Sequence, residues 1–368
     1  MKKIKRMRPI MARAARQVTV LSILLGTCVG VIFLVGCPGR GTDSRLAVDS
    51  KGKTVVERYG QLRVIGTHLC TEAGESVQLR GMCSNGLQWD GKYANEAVIT
   101  WLRDDWNSQL WRSVLYLTEG GYIEGPQLKQ VLVRSVDAAI ASGVYVIIDW
   151  HLMRERNPNE YKDEAIAFFR EMAGKYGSYP NVIYEICSEP NGDDVTWSGV
   201  IKPYAQEVIA AIRQIDPDNV IIVGTPTWSQ DLDKAADDPI TGFPNIMYTL
   251  HFYTGSHGKP IMEKAEYAVS KGLPIFVTEW GTTLYTGDQF KPETTVPWIE
   301  FMDRNKISWA NWSVSNDGKE SSILVYKTDR EGAAGWKDEQ LSPSGKFIRG
   351  LLRNKGIKRL VKDAAADR

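Results

Sequence analysis

Two glutamates, Glu189 and Glu279, each follow a run of apolar β-formers and set the chemistry open to this chain. Glu189 ends the segment Asn181-Val-Ile-Tyr-Glu-Ile-Cys-Ser188 and precedes Pro190, while Glu279 ends Pro274-Ile-Phe-Val-Thr278 and precedes Trp280-Gly281. A short apolar run ending in an acid reads as a buried parallel strand whose last side chain emerges at its C-terminal mouth. In a (β/α)8 barrel that mouth gathers the catalytic residues. Two carboxylates there are the minimal equipment for cleaving a glycosidic bond, one as proton donor and one as nucleophile or base. The alternative is a pair of structural acids, each neutralised by an Arg or Lys.

The elements that must position them follow from the alternation of strand-like and helix-like segments, the pattern of a parallel sheet with crossover helices. Barrel strands are expected at 79–83, 110–117, 144–150, 182–187, 220–224, 246–251, 275–279 and 308–313. Amphipathic spacers at 127–142, 161–176, 201–215 and 294–304, with a last helix near 344–353, favour an α/β fold of TIM-barrel type over a doubly wound sheet. Thr71-Glu-Ala-Gly-Glu75 is a turn signature between 61–65 and 77–79 and predicts an N-terminal β-hairpin. Strand ends then collect Asn85 and Trp89, Arg112 and Tyr116, His151, Trp228, His251 and Tyr253, and Trp312.

Composition narrows the class. The seven basic residues before Val18 stand in a segment without acids, so the formal charge of +1 hides a mildly acidic remainder. No Lys/Arg cluster outside that segment points to nucleic acid. Twelve Trp suit stacking on pyranose faces, though Trp also fills cores. The basic start, the apolar stretch Val18–Gly36 and Leu34-Val-Gly-Cys37 predict an export segment over 1–36, with Cys37 lipidated as in a bacterial lipoprotein. An uncleaved signal anchor is the rival, and either places the rest outside the cytoplasm, held at a membrane. Residues 37–57 read as a tether, 58–355 as the one catalytic domain, and 356–368 as a basic, polar tail. Cys70, Cys83 and Cys187 remain, an odd number without CxxC spacing, so neither a disulfide framework nor a zinc site is indicated. The His spacing offers no metal motif. No cofactor is expected, and the chain is expected to act as a monomer.

The sequence resembles the glycoside hydrolase family 5 cellulases from about Arg58 to Arg353. The likeness rests on Gly86-Leu-Gln-Trp89, Trp111-Arg112, Ile148-Asp-Trp-His151, Tyr184-Glu-Ile-x-x-Glu-Pro-Asn-Gly192, His251-Phe-Tyr253, Thr278-Glu-Trp-Gly281 and Trp309-Ala-Asn-Trp-Ser313. It implies Glu189 as general acid/base and Glu279 as nucleophile. Arg112 and Tyr253 would hold the nucleophile ionised, and His251 would neighbour the acid/base. His151 would contact a sugar hydroxyl, Trp312 would lie under the sugar at the cleavage point, and Trp89 and Trp228 would stack on the glycone and aglycone sides. Two positions depart from the family: Ser188 stands where Asn is usual before the acid/base, and Asn85 where His is usual. Ser315-Asn-Asp-Gly-Lys-Glu320 resembles a loop on the glycone side, with Lys319 and Glu320 as sugar contacts or as a solvated charged loop. The implied activity is a retaining endo-β-1,4-glucanase acting on a polysaccharide. The alternatives are another β-1,4-glycan, mannan or mixed-linkage glucan, and a weakly active surface glycan-binding protein.

Overall fold

The computed structural model describes residues 45–328 and 332–366. The expected export segment and Cys37 lie outside them. Among the described residues no helix is long and apolar enough to cross a membrane.

Eight parallel strands close into a barrel: β3 (Arg80–Ser84), β4 (Leu110–Tyr116), β5 (Tyr145–His151), β6 (Val182–Glu185), β7 (Ile221–Val223), β8 (Ile246–Tyr253), β9 (Ile275–Gly281) and β10 (Trp309–Val314), with β10 pairing back onto β3. All eight expected strands are present. They read as apolar runs because both faces are covered. Outward side chains such as Trp111, Val146, Trp150, Tyr184 and Trp280 pack under the helices, while Leu110, Val114, Tyr145, Ile147, Ile183 and Phe276 fill the interior. Helices at Leu128–Ala141, Lys162–Tyr176, Lys202–Arg213, Lys259–Ser270, Val296–Arg304 and Pro343–Leu352 form the outer ring. Gly143, at φ +67°, follows the first of them, and a Cβ there would meet the Thr54 side chain at 2.5–2.8 Å. Only glycine lets the chain turn left-handed that close to a neighbour.

Register decides which side chains of these strands face the interior. β4 and β5 pair without interruption from Leu110↔Tyr145 to Tyr116↔His151. β9 is different. Thr249 pairs with Phe276 but His251 pairs with Glu279, and on the other side Trp309 pairs with Val277 but Asn311 with Trp280. Against both neighbours β9 therefore carries one extra residue, a bulge that breaks the in–out alternation. Phe276 points in and Trp280 out, and between them both Thr278 and Glu279 turn toward the interior network described below.

The barrel's N-terminal end is closed by the segment before it. β1 (Arg63–Ile65) and β2 (His68–Cys70) form an antiparallel hairpin whose turn is Gly66-Thr67, earlier than expected. The Thr71–Glu75 turn follows, with Cys70 bridging Ser76. Tyr59, Leu62, Leu69 and Val77 pack into the interior cluster, and the Tyr145 hydroxyl donates to Gly60 O at 2.7 Å. Two expectations about the ends differ from what is seen. From Arg45 onward the presumed tether lies against the domain, with Ala47 N donating to Asn107 Oδ1 and a capping box of Thr54 and Glu57 starting a short helix, Val55–Tyr59. In the presumed tail, Ile357–Ala366 is an amphipathic helix with Leu360 buried. Gly350 makes room for it, since a Cβ there would meet Leu360 Cδ2 at 2.3 Å.

Leu69, 1% exposed in this plug, sets a stability test. Leu69→Ala is expected to cost about 2–5 kcal/mol in urea unfolding, while Ile65→Ala, removing a side chain on a residue 52% exposed, changes it little. Equal effects of the two substitutions would contradict the plug.

Candidate active site

Arg112 projects from β4 into the barrel interior with its residue fully buried. Its guanidinium meets three carboxylates from three other strands: Nε reaches Glu185 Oε2 at 2.7 Å, Nη2 Asp149 Oδ2 at 2.9 Å, and Nη1 Glu279 Oε2 at 2.9 Å. The planar fork of five donors suits such a role, which a lysine ammonium could not fill with the same geometry. Glu279 also accepts from the Tyr253 hydroxyl at 2.7 Å.

His251, on β8 beside Glu279, links the second carboxylate to this network. Its Nδ1 lies 2.8 Å from Glu189 Oε1 and its Nε2 2.8 Å from Thr278 Oγ1. The Thr278 hydroxyl donates to Glu185 Oε1 at 2.5 Å, so it accepts from His251 and Nε2 must carry a proton. Nδ1 and Glu189 then share a second proton. One nitrogen of His251 and one carboxylate oxygen each of Glu189 and Glu279 all lie within 4.8 Å of one another. These are the residues placed to hold a cation, yet any ion there would sit against the Arg112 charge.

Burial and charge oppose each other at Glu279, Glu185 and Asp149. Burial works to raise the Glu279 carboxyl, but the nearby His251 and Arg112 charges, with His151 and the Tyr253 hydroxyl, outweigh it and hold the group below its ordinary value. Glu185 is likewise desolvated, yet Arg112 and His251 bring it to about 2. Burial pulls His251 down, but Glu185, Glu189 and Glu279 raise it to about 9. Asp149 is pushed up by burial despite Arg112. His151 is raised because Asp149, 2.9 Å from Nδ1, outweighs desolvation.

Aromatic rings line the mouth. Trp89 packs on Tyr116 (centroids 4.9 Å), Tyr116 on His151 (4.2 Å), and His151 lies near-parallel to Trp312 at 6.2 Å. His151 Nε2 is buried among them without a partner. Asn85, Trp89, Tyr116, Tyr253, Trp312 and Lys319 share a cleft of about 520 Å³. Trp228 lines a second hollow of about 500 Å³ beyond Glu189. It sits at φ +54° between Thr227 (+57°) and Ser229 (+59°), a left-handed run that costs energy in non-glycine residues. The turn is tied down by Trp228 N donating to Pro190 O and by the Ser229 hydroxyl on Ser188 O.

The structure thus brings Glu189, Glu279, Arg112, His251, Tyr253 and His151 into one cluster. Three residues sit differently from expectation. Glu320 does not line the cleft; its carboxylate accepts from Phe290 N at 2.7 Å, as a backbone donor near a flexible acid favours. Ser188 is fully buried with Oγ 3.1 Å from His151 Nδ1, so its hydroxyl meets the imidazole and not the cleft. Asn85 lines the cleft but its amide is taken by Asp90 Oδ2 at 3.0 Å and by Gly86 N. Sequence reasoning missed Asp149, Glu185 and Thr278 as network members. For the two acids there was a signal, since a carboxylate inside an apolar strand requires a buried partner.

Comparison with known proteins places this geometry. The pattern of the cellulase family, glycosyl hydrolase family 5, matches residues 70–318. Endoglucanase A of Evansella cellulosilytica is 50% identical over 302 residues, 82% of this chain and 61% of that protein. Endoglucanase 5 of Pectobacterium carotovorum subsp. carotovorum is 48% identical over 310 residues, 84% of this chain and 60% of that protein. The chain therefore spans about three fifths of the length of these relatives. The catalytic domain of Thermobifida fusca endoglucanase Cel5A superimposes with a TM-score of 0.77 at 39% identity, covering 81% of this chain and 99% of that one.

Glu185 and His251 set a pH window. Glu185, lowered from 4.5 to about 2, contributes stability above its unfolded value that is lost as pH falls through about 2. His251, raised from 6.5 to about 9, contributes stability below 6.5 that is lost as pH rises through about 9. The unfolding midpoint, followed by calorimetry, is expected to peak between these limits, and His251→Gln to flatten the limb above neutrality. An unchanged limb in that variant would rule the assignment out.

Proposed function

The chain belongs to the cellulase family, glycosyl hydrolase family 5, and from that premise we propose that it is a retaining endo-β-1,4-glucanase. The observation that carries the reading is a carboxylate held ionised by Arg112 and Tyr253 with a second carboxylate oxygen within 4.8 Å. A spacing of that order leaves no room for a water between Glu279 and the anomeric carbon, and it fits the about 5–5.5 Å separation of retaining enzymes, not the wider gap of inverting ones.

In this reading Glu279 attacks the anomeric carbon while Glu189 gives its proton to the departing glycosidic oxygen. The C–O bond to the leaving chain breaks as the bond from carbon to Glu279 forms. Water then attacks the same carbon, Glu189 takes its proton, and Glu279 leaves as carboxylate. His251 supports both halves, because its Nδ1, 2.8 Å from Glu189 Oε1, shares a proton with Glu189 as that residue alternates between acid and base. The unpartnered His151 Nε2 is available to a sugar hydroxyl, Trp312 and Tyr116 supply a floor beneath the ring, and Trp89 and Trp228 mark glycone and aglycone sides. Lys319 extends the glycone wall. Burial of Ser188 leaves the space above His151 without a side-chain amide from position 188.

Reducing-sugar release by the purified protein on carboxymethyl-cellulose, barley β-glucan, glucomannan and xylan tests the activity. Release from the glucans is expected, with the β anomer appearing first in proton NMR of the products. Glu279→Gln should abolish it and Glu189→Gln should lower kcat about 10²–10⁴-fold. An α product would sink the retaining mechanism, and affinity for the glucans without release would favour the binding-protein reading.

We also propose export, with Cys37 as the lipidated residue. The basic start and apolar stretch support it. Cys37→Ser should move the protein from the membrane fraction to the soluble fraction, whereas continued membrane retention would favour the uncleaved anchor.

A further inference from the structure

Tyr285 is 69% exposed, the most exposed of the large hydrophobic side chains among the described residues. Single exposed aromatics are common, but the other exposed tyrosines each have a partner: Tyr179 meets Tyr176, Tyr267 meets Asp237 and Lys271, and Tyr326 meets Lys327. Among the described residues the ring and hydroxyl of Tyr285 meet no such group. Tyr285 instead lines the 520 Å³ cleft that also holds Trp89 and Trp312.

Barrel order gives this position its meaning. Trp312 lies on β10, and the strands hydrogen-bonded to β10 on its two sides are β3 and β9. Trp89 follows β3 and Tyr285 follows β9, so the two exposed rings flank the strand that carries the floor.

The loop that displays Tyr285 is fixed. Tyr285 N donates to Ser256 Oγ at 3.0 Å, and Gly287 N to Leu284 O at 2.9 Å closes a tight turn. Gly287 has φ +84°, and a Cβ there would sit 3.0–3.3 Å from Ser321 and Lys319, so its absence lets the loop after β10 close against it. Ser321 N then donates to Gly287 O, and Glu320 accepts Phe290 N. Glu320, expected to touch sugar, is thus a strut beneath the turn that presents Tyr285. Holding an aromatic side chain out on a pinned turn reduces the entropy lost when it binds.

We propose that Tyr285 is a specificity-determining sugar contact, stacking on a pyranose bound on the glycone side of the cleft as the counterpart of Trp89. A pyranose with equatorial substituents has two flat C–H faces, and consecutive units of a β-1,4-linked glucan turn over relative to each other. Rings on both flanks of the floor therefore suit successive units of a linear chain. The identity of the sugar rests on the glucanase reading above, whereas the contact itself does not.

The test measures cellohexaose binding by isothermal titration calorimetry in the Glu279→Gln protein, alone and with Tyr285→Ala or Tyr285→Phe, beside hydrolysis by the native protein. Tyr285→Ala is expected to weaken Kd about three- to tenfold, Tyr285→Phe to restore it, and the unfolding midpoint to stay unchanged because the side chain is exposed. In the native background, the same Ala substitution should raise KM for cellohexaose with kcat held. An unchanged Kd in an active enzyme overturns the Tyr285 contact alone. A native protein that binds but does not hydrolyse overturns the glucanase reading, while the Kd ratio still decides Tyr285. A loss that Phe fails to restore overturns stacking.

Discussion

One buried guanidinium organises this protein. Arg112 has no access to water, so its charge survives in the barrel interior only because Asp149, Glu185 and Glu279 surround it. Each acid in turn would be driven to protonate without it. The arrangement is all-or-none in kind: an isolated charge left behind is far worse than a pair. Since the four groups come from β4, β5, β6 and β9, the ion cluster also fixes how those strands sit against one another. A one-residue slip of any of them would turn its charged side chain to the other face. Fold and site are therefore one constraint, with His251 and Thr278 extending it to Glu189.

Much of this was legible in the sequence because parallel strands covered on both faces are written as apolar runs, and whatever polar residue ends such a run must emerge at the mouth. That logic located His151 and Tyr253 directly, since they end β5 and β8, and reached Glu279 although β9 runs on to Gly281. It located Glu189 less directly, because β6 stops at Glu185 and Glu189 lies on the segment beyond it. Other features resist local reading. Whether Glu320 faces a sugar or a neighbouring N–H depends on a loop from a different strand. Ser188 reads as a shortened sugar contact until His151 is found beside it. At the C-terminus the apolar residues Ile357, Leu360, Val361 and Ala364 do carry helical spacing, masked by the lysines and arginine among them.

The molecule also separates its tasks along the barrel axis. At the N-terminal end, Tyr59, Leu62, Leu69 and Val77 close the interior with ordinary apolar packing. At the other end the same interior turns ionic, then aromatic, then open to solvent. The left-handed run at Thr227–Ser229 stands at that open end, bonded to Pro190 and to Ser188. Conformational strain is thus stored next to the candidate acid, where rigid display of Trp228 gives it a use.

The extra residue in β9 has a consequence of its own. A strand has parity: odd and even positions face opposite ways, and ordinarily Thr278 and Glu279 could not both look inward. The bulge resets that parity once, between Phe276 and Trp280, and against both neighbouring strands. What places Glu279 beside Arg112 is therefore a count, not an identity. A chain that kept every residue type of this site but lost one position there would hold the same inventory with its carboxylate facing the wrong layer. In this chain the length of that short stretch is accordingly as necessary to the site as the glutamate it delivers.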